Sequence, residues 1–237
     1  MDEFLKQWYG ILAFVAFDFV ALLVVVCITY RWFFKRVCDF FISLVALVLL
    51  SPLYLIVYFR ARTARKKSEI DKILQKEPFV GKKGKRVWLH TFACEEENGY
   101  CAWLKKTKFY ALPRLFDVFL GTISFIGCKP FAESDCVFLS DEEEDRHLAK
   151  IGLINPLVKT GDKETDYEEM LLSDKKYARS YSFFGDVKIF FVWLLKKIRG
   201  EGNEYLGQTR QCAYAKYLLQ EEQITQADYD EAMAQDL

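Results

Sequence analysis

Two long apolar runs fill the first quarter of the chain, and the remainder alternates short apolar stretches with charge. From Trp8 to Tyr30 the only charged residue is Asp18. About 23 residues at ~1.5 Å of helical rise cross a hydrocarbon core of roughly 30 Å. The run predicts a transmembrane helix. A cleaved leader is the rival reading, but MDEFLK ahead of the run is not basic, the apolar stretch is too long, and no small-residue cleavage site follows it.

The second run, Val37 to Phe59, is also long enough to span. Its flanks ask for something else. Arg31, Lys35 and Arg36 precede it, and Arg60, Arg62, Arg65, Lys66 and Lys67 follow it. Positive charge prefers the cytosolic side, so both ends of the run favour the same side. A helix that dips in and returns satisfies both clusters, whereas a kinked span strands one of them. Ser51-Pro52 lies in the run's second half, and proline removes a backbone donor and crowds the preceding turn, which predicts a break there. The same charge rule puts Met1 outside and Arg31 inside.

After the membrane runs the periodicities shorten. ARTARKKSEIDKILQKE puts Ile70, Ile73 and Leu74 on one helical face, as in a short interfacial helix. VGKKGKRVWLHTF reads as a lysine-rich turn leading into a short strand; GKKGK has neither P-loop spacing nor its terminal Ser or Thr. Leu112, Leu115, Phe116 and Phe119 are spaced for a helix, followed by an apolar stretch that ends in glycine and proline, hence a turn. An acidic helix about Ser140 to Lys150 comes next, then a loop to Asp166 and a helix through Tyr177. FFGDVKIFFVWLLKKIRGEG then closes a strongly aromatic helix with Lys196, Lys197, Arg199 and Gly200, which suits a helix lying at the membrane interface. From Asn203 two short helices form a hairpin, the second opened by Thr225 with Asp228 three residues on. The hairpin's face of Tyr214, Tyr217, Leu218 and Leu219 either docks a partner or packs on its own domain.

Composition changes the picture in three ways. At 237 residues the chain holds one domain plus an anchor, and 52% hydrophobic content is rich for that size. Seven cysteines without a CxxC pair make neither a disulfide framework nor a zinc site; they read as small packing residues. The 33 basic and 33 acidic residues cancel, but the basic run after the second apolar segment favours contact with anionic lipid over nucleic acid. Glu95, Glu96 and Glu97, like Glu142, Glu143 and Glu144, are consecutive and point in different directions, which describes a solvated acidic stretch better than a metal site. His90 and His147 are the only histidines.

The order KRVCDFFISLVALVLLSPLYLIV, GKKGK, LPRLFDVFLGTISFIGCKP, RHLAKIG, DKKYARSYSFFGDVKI resembles the bacterial sugar transferases, the monotopic phosphoglycosyl transferases, over Lys35 to Gly202. Those enzymes move a sugar phosphate from a nucleotide sugar onto a polyprenyl phosphate. The resemblance implies a mostly α fold with a small β element (α+β). Its expected parts are a transmembrane helix at 1–31, a re-entrant helix at 35–60 broken at Ser51-Pro52, a transferase-like cytosolic domain at 61–202 with interfacial helices, and a helical hairpin at 203–237. It places the chain in the inner membrane of a bacterium with its main domain on the cytosolic face.

The resemblance also marks where the chemistry belongs. The family line reads roughly SLDELPQLxNVLxGxMSxxGPRP, in which the aspartate attacks the substrate phosphate and the glutamate helps to bind magnesium. A covalent phospho-sugar intermediate needs that pair, because the diphosphate charge must be neutralised by a divalent cation. Here Tyr110 and Ala111 stand at those positions. The lysine and arginine of the family's KFRTM strand fall on Trp88 and His90, the arginine of its NGRN loop falls on Asp162, and PRP becomes Cys128-Lys129-Pro130. Shape-giving positions persist, among them Ser51, Pro52, Leu112, Pro113, Ser124, Gly127, Pro130, Tyr177 and Asp186. The expectation is a noncatalytic copy with no metal or cofactor, membrane lipid as its surroundings, and an active homologue or a second copy as partner. A divergent active transferase is the alternative. Binding of polyprenyl phosphate or an anionic headgroup by Lys82, Lys83, Lys85, Arg86, Lys105 and Lys129 is a third reading; solvated surface lysines are the plain one.

Overall fold

The computed structural model describes residues 8–64, 73–93, 99–107, 109–159, 167–199 and 213–235. Most of them are helical, with two small sheets. Helix α1 (Trp8–Thr29) runs into helix α2 (Lys35–Ala64) through one stretch of π-helix, Tyr30–Phe34, with no loop between them. Both are long and apolar enough to cross a membrane. Their surroundings differ. Every residue of α1 from Ile11 to Leu22 is exposed, and apart from Asp18 the stretch is apolar on all faces, which suits a membrane span.

Helix α2 instead presents one stripe to protein and the opposite face to the outside. Asp39, Ser43, Val57 and Ala61 are buried, and Ala46, Leu47, Leu50, Leu53 and Tyr54 are partly buried between them. Steps of three and four residues keep all of these on one side of a helix. The first half of the stripe packs against the largest core cluster, with Leu89, Val118, Phe125 and Ile151. The second half packs against another, with Phe92, Tyr100, Cys101 and Leu104. Facing away are Phe41, Val45, Val48, Leu49 and Leu55, all more than half exposed.

At the expected break, Ser51-Pro52, helical structure continues, with Pro52 inside α2. Proline leaves the carbonyl four residues back without its usual donor. That carbonyl is Val48, and the Ser51 hydroxyl donates to it at 2.8 Å. The serine thus supplies the hydrogen bond that the proline cannot.

The domain beyond begins with a hairpin. Strand β1 (Leu74–Val80) pairs antiparallel with β2 (Arg86–Phe92), from Leu74 opposite Phe92 to Val80 opposite Arg86. The expected helix over Leu74 gives way to this strand because pairing with β2 buries Phe79 and Leu89; Ile70 lies outside the described residues. The turn Lys82–Gly84 holds Lys83 and Gly84 at φ 60 and 68, as a lysine-glycine turn allows. Helix α3 (Gly99–Thr107) and helix α4 (Arg114–Leu120) follow. Strand β3 (Ser124–Ile126) then pairs parallel with β4 (Gly152–Ile154). Between them lies the short helix α5 (Glu133–Cys136). The acidic helix expected over 140–150 is only a 3₁₀ turn, Glu144–Leu148. Ser140 folds back onto the Glu143 carboxylate at 2.7 Å, and the neighbouring acids reach sideways, Glu142 to Lys175 and Asp145 to Arg179.

Helix α6 (Tyr167–Ser180) and helix α7 (Phe183–Ile198) complete the domain, the latter capped by Ser182. The C-terminal hairpin comprises α8 (Ala213–Gln220) and α9 (Gln226–Gln235), with Thr225 and Asp228 bonded reciprocally as read from the sequence. Tyr214 and Leu218 are buried against Phe131, Leu157, Met170 and Leu171, so of the two readings of this hairpin the structure takes packing on its own domain. Asp135 fixes it there, accepting the backbone N–H groups of Tyr214 and Ala215 at 3.0 Å each and filling the open donors of α8.

One polar knot joins the anchor to the domain. The Asp186 carboxylate, on α7, accepts from the Tyr30 hydroxyl at 2.7 Å, the Lys35 ammonium at 2.5 Å and the Tyr177 hydroxyl at 2.9 Å. Removing the carboxylate strands a mostly buried ammonium and two hydroxyls. Asp186→Ala is therefore expected to destabilise the protein by about 3–5 kcal/mol, read as a large drop in the thermal midpoint in detergent. A midpoint within a degree of the parent would show the knot to be dispensable.

Candidate functional site

Of the positions that the sequence singles out, Tyr110 and Ala111 lie where α4 begins, and His90 lies on the hairpin that α4 meets. Leu112-Pro113 turns the chain there: Pro113 already has helical φ and ψ, and Phe116 N–H bonds to its carbonyl at 2.9 Å. The Tyr54 hydroxyl of α2 donates to the Leu112 carbonyl. Tyr110 and Ala111 lie just before, in a 3₁₀ turn (Phe109–Ala111).

Charge sits beside this turn, where the sequence reading did not look for it. Arg114 is only 4% exposed, and its Nη2 lies 3.5 Å from Glu77 Oε2 of β1. Its guanidinium also lies 5.9 Å from the centre of the Phe79 ring. Thr91 donates to the other Glu77 oxygen at 3.4 Å. Tyr110 is close enough to feel both charges: burial pushes its hydroxyl pKa up, Arg114 pulls it down and Glu77 pushes it up. The same burial raises Glu77, against the pull of Arg114. The Tyr110 hydroxyl is buried and has no hydrogen-bond partner among the described residues.

One turn further along α4, Asp117 is 1% exposed and grips β2. It accepts from the His90 backbone N–H at 2.8 Å and meets His90 Nδ1 at 2.6 Å. His90 therefore acts as a clamp between strand and helix. Trp88, by contrast, is 48% exposed on the hairpin opposite Pro78. Asp162 lies outside the described residues, as does the side chain of Lys105.

Among the described residues the remaining cations do not converge. Lys82, Lys83 and Lys85 sit together at the hairpin turn, Lys83 and Lys85 exposed. Arg86 is ion-paired to Glu133. Lys129 belongs to a different, interior network. Its backbone N–H donates to Asp174 at 3.0 Å, and Arg146 bridges the Lys129 carbonyl at 2.5 Å and Asp174 at 2.7 Å. The Lys129 ammonium lies 4.7 Å from the Tyr167 ring centre, with the residue 7% exposed. Burial first, and then the Arg146 charge, pull its pKa down to about 8. His147 is partly buried: burial and Arg146 hold it near 4 and therefore neutral at pH 7.

Chemically, a divalent metal bound through a glutamate at position 111 is not served by this arrangement. Alanine offers no ligand atom, and the adjacent carboxylate, Glu77, is already matched by a guanidinium. Among the described residues, no group of carboxylates is placed to hold a magnesium ion. Glu77, Arg114 and Asp117 escaped the sequence reading, although two of them had a signal: Arg114 and Asp117 stand where the LPQLxNV pattern has neutral amides.

Residues 30–200 match the model of the bacterial sugar transferases, most of the chain, and the protein belongs to that family. The chain is 20% identical over 201 residues to the undecaprenyl-phosphate galactose phosphotransferase of Salmonella typhimurium, covering 72% of this chain and 41% of that one. It is 26% identical over 194 residues to the UDP-glucose:undecaprenyl-phosphate glucose-1-phosphate transferase of Klebsiella pneumoniae, 69% of this chain and 40% of the other. With the UDP-galactose-lipid carrier transferase of Erwinia amylovora it shares 22% over 147 residues, 61% of this chain and 30% of that one. The chain spans about two fifths or less of the length of these relatives.

The buried lysine gives a pH prediction. Below pH 8 Lys129 is charged folded and unfolded, and its burial penalty is fully present. Between about 8 and 10.5 the folded chain has lost that proton and the unfolded chain has kept it, so stability rises with pH by about 3 kcal/mol. Lys129→Met should raise the thermal midpoint at pH 7 and flatten this rise. An unchanged slope between pH 8 and 10.5 would assign it to other groups.

Proposed function

We propose that this chain is a noncatalytic member of its family, which stabilises or regulates an active phosphoglycosyl transferase in the assembly of bacterial polysaccharides or glycoconjugates. The observation that carries this reading is the pair of side chains that the family resemblance aligns with the nucleophile and the metal ligand. Tyr110 and Ala111 stand there, beside an arginine already paired with the neighbouring glutamate. A tyrosine that burial makes harder to ionise is a poor nucleophile near neutral pH. Nucleophile, metal ligand and phosphate clamp would all have to be rebuilt elsewhere for a relocated active site.

The same reading places the chain in the bacterial inner membrane with its domain on the cytosolic face. α1 crosses the bilayer, and α2 enters and returns. Support for the return comes from α2 itself. Its first turns hold Asp186, Val118 and Phe119, its last turns hold Phe92 and Leu104, and these belong to one domain. A straight crossing would carry those two ends to opposite sides of the membrane. The outward apolar face, with Val48 and Leu49 at 64% and 70% exposure, suits lipid.

Purified protein in detergent, supplied with magnesium, polyprenyl phosphate and a panel of nucleotide sugars, is expected to form neither lipid-linked diphosphosugar nor a covalent phospho-sugar adduct. Co-expressed with an active family member from the same cells, it should copurify and change that enzyme's turnover or half-life severalfold. Transfer by the purified chain alone would overturn the proposal in favour of a divergent active enzyme.

A further inference from the structure

We infer that helix α1 is a docking surface inside the membrane, and that Asp18 at its centre receives a basic side chain from a transmembrane helix of another protein. The inference rests on the noncatalytic-partner reading for its biological setting, but its physical basis is separate. Asp18 lies ten residues after Trp8 and eleven before Thr29. At ~1.5 Å per residue it sits about 15 Å from either end of the helix, at the middle of the hydrocarbon. An aspartate side chain is too short to reach the interface from there, and an ionisable group at that depth is costly unless a partner meets it.

This chain offers no such partner among the described residues. The positions one turn away from Asp18, Phe14, Val15, Ala21 and Leu22, are all apolar and exposed. The nearest cations in the sequence, Lys6 and Arg31, are twelve and thirteen residues away, roughly 18–20 Å along a helix. Arg31 is moreover engaged by the domain, at the Ala178 carbonyl and the Tyr181 ring. The other aspartate of the apolar runs shows the contrast. Asp39 is buried, and it accepts from the Ser124 hydroxyl at 2.6 Å and the Phe125 N–H at 3.0 Å. Asp39 is served within the fold; Asp18 faces outward on a stretch of helix that packs on nothing among the described residues.

Charge decides the occupant. A second copy would bring a second Asp18 against the first with no cation between them, and lipid phosphate has the wrong sign and lies at the surface. A helix with lysine or arginine near its midpoint supplies the opposite charge at the same depth and a donor to the carboxylate. Approach along the Asp18 side also covers Phe14 and Leu22, which share its face, and leaves Val20, two residues on, facing away.

The test uses the full-length chain in its native membranes, with a photo-crosslinking residue placed at Phe14, Leu22 or Val20. Adducts to another membrane protein are expected from Phe14 and Leu22, at least tenfold fewer from Val20, and an equal loss when Asp18→Leu is added. Asp18→Lys should also abolish them, and reversing the partner's mid-membrane lysine or arginine to aspartate should restore them. An adduct to a second copy, equal yields from both faces, indifference to Asp18→Leu, no adduct, or a partner lacking a mid-membrane cation would overturn the inference. The two readings fail separately. A cation-bearing partner that is not a phosphoglycosyl transferase leaves the docking helix standing and removes the proposed function; copurification of an active transferase that ignores Asp18→Leu does the reverse.

Discussion

The structure depends on the long contact between α2 and the domain, fixed at one end by the carboxylate of Asp186. A helix as apolar as α2 would by hydropathy alone leave the protein and cross the bilayer. It is also tied by Lys35 to Asp186, by Asp39 to the start of β3, and by a stripe of small and apolar side chains down to Ala61. Burying Asp39 and Asp186 is favourable only because each accepts more than one hydrogen bond. Polar groups fix the register here and apolar packing supplies the attraction.

Through that contact the anchor also shapes the candidate site. Helix α4 is gripped from both halves of α2. Arg36 donates to the carbonyls of Val118 and Phe119 at its C-terminus, Phe40 stacks on Phe119 at 4.9 Å, and Tyr54 meets Phe116 at 5.5 Å. Lys150 adds a bond to the Gly121 carbonyl, so two cations face the negative end of α4. Gly121 has φ +84, a left-handed backbone conformation that favours glycine. Placed in this way, α4 carries Arg114 and Asp117 into the hairpin. The charge that fills the neighbourhood of Tyr110 is held by the membrane helix as much as by the domain.

Much of this was legible in the sequence, for identifiable reasons. The apolar runs, the lysine-glycine turn, the helix from Phe183 and the Thr225 cap are local signals, and local physics carried them through. The strand at Leu74 was misread because its partner is distant enough to be invisible to periodicity. The acidic stretch after Ser140 was misread because its side chains bond across to α6 instead of along a helix. At Ser51-Pro52 the proline rule was right about the lost donor and missed the hydroxyl next to it. The family resemblance points to Tyr110 and Ala111 from sequence alone, whereas the Arg114–Glu77 pair needed the hairpin in three dimensions. The inward turn of Lys129 was equally hidden, since nothing in Cys128-Lys129-Pro130 announces burial.

The two apolar helices thus have opposite relations to the same fold: α1 stands clear of it, and α2 stays on it from end to end. The consequence is topological and can be measured directly. With the native cysteines replaced by serine or alanine, a single cysteine in place of the exposed Arg62 would be tested with a membrane-impermeant thiol reagent, in intact spheroplasts and in inverted vesicles. If α2 enters and returns, Arg62→Cys is labelled only in inverted vesicles, as is a cysteine placed in the domain at the exposed Lys83. Labelling of Arg62→Cys from outside intact spheroplasts would mean that α2 crosses the membrane, and would contradict the account.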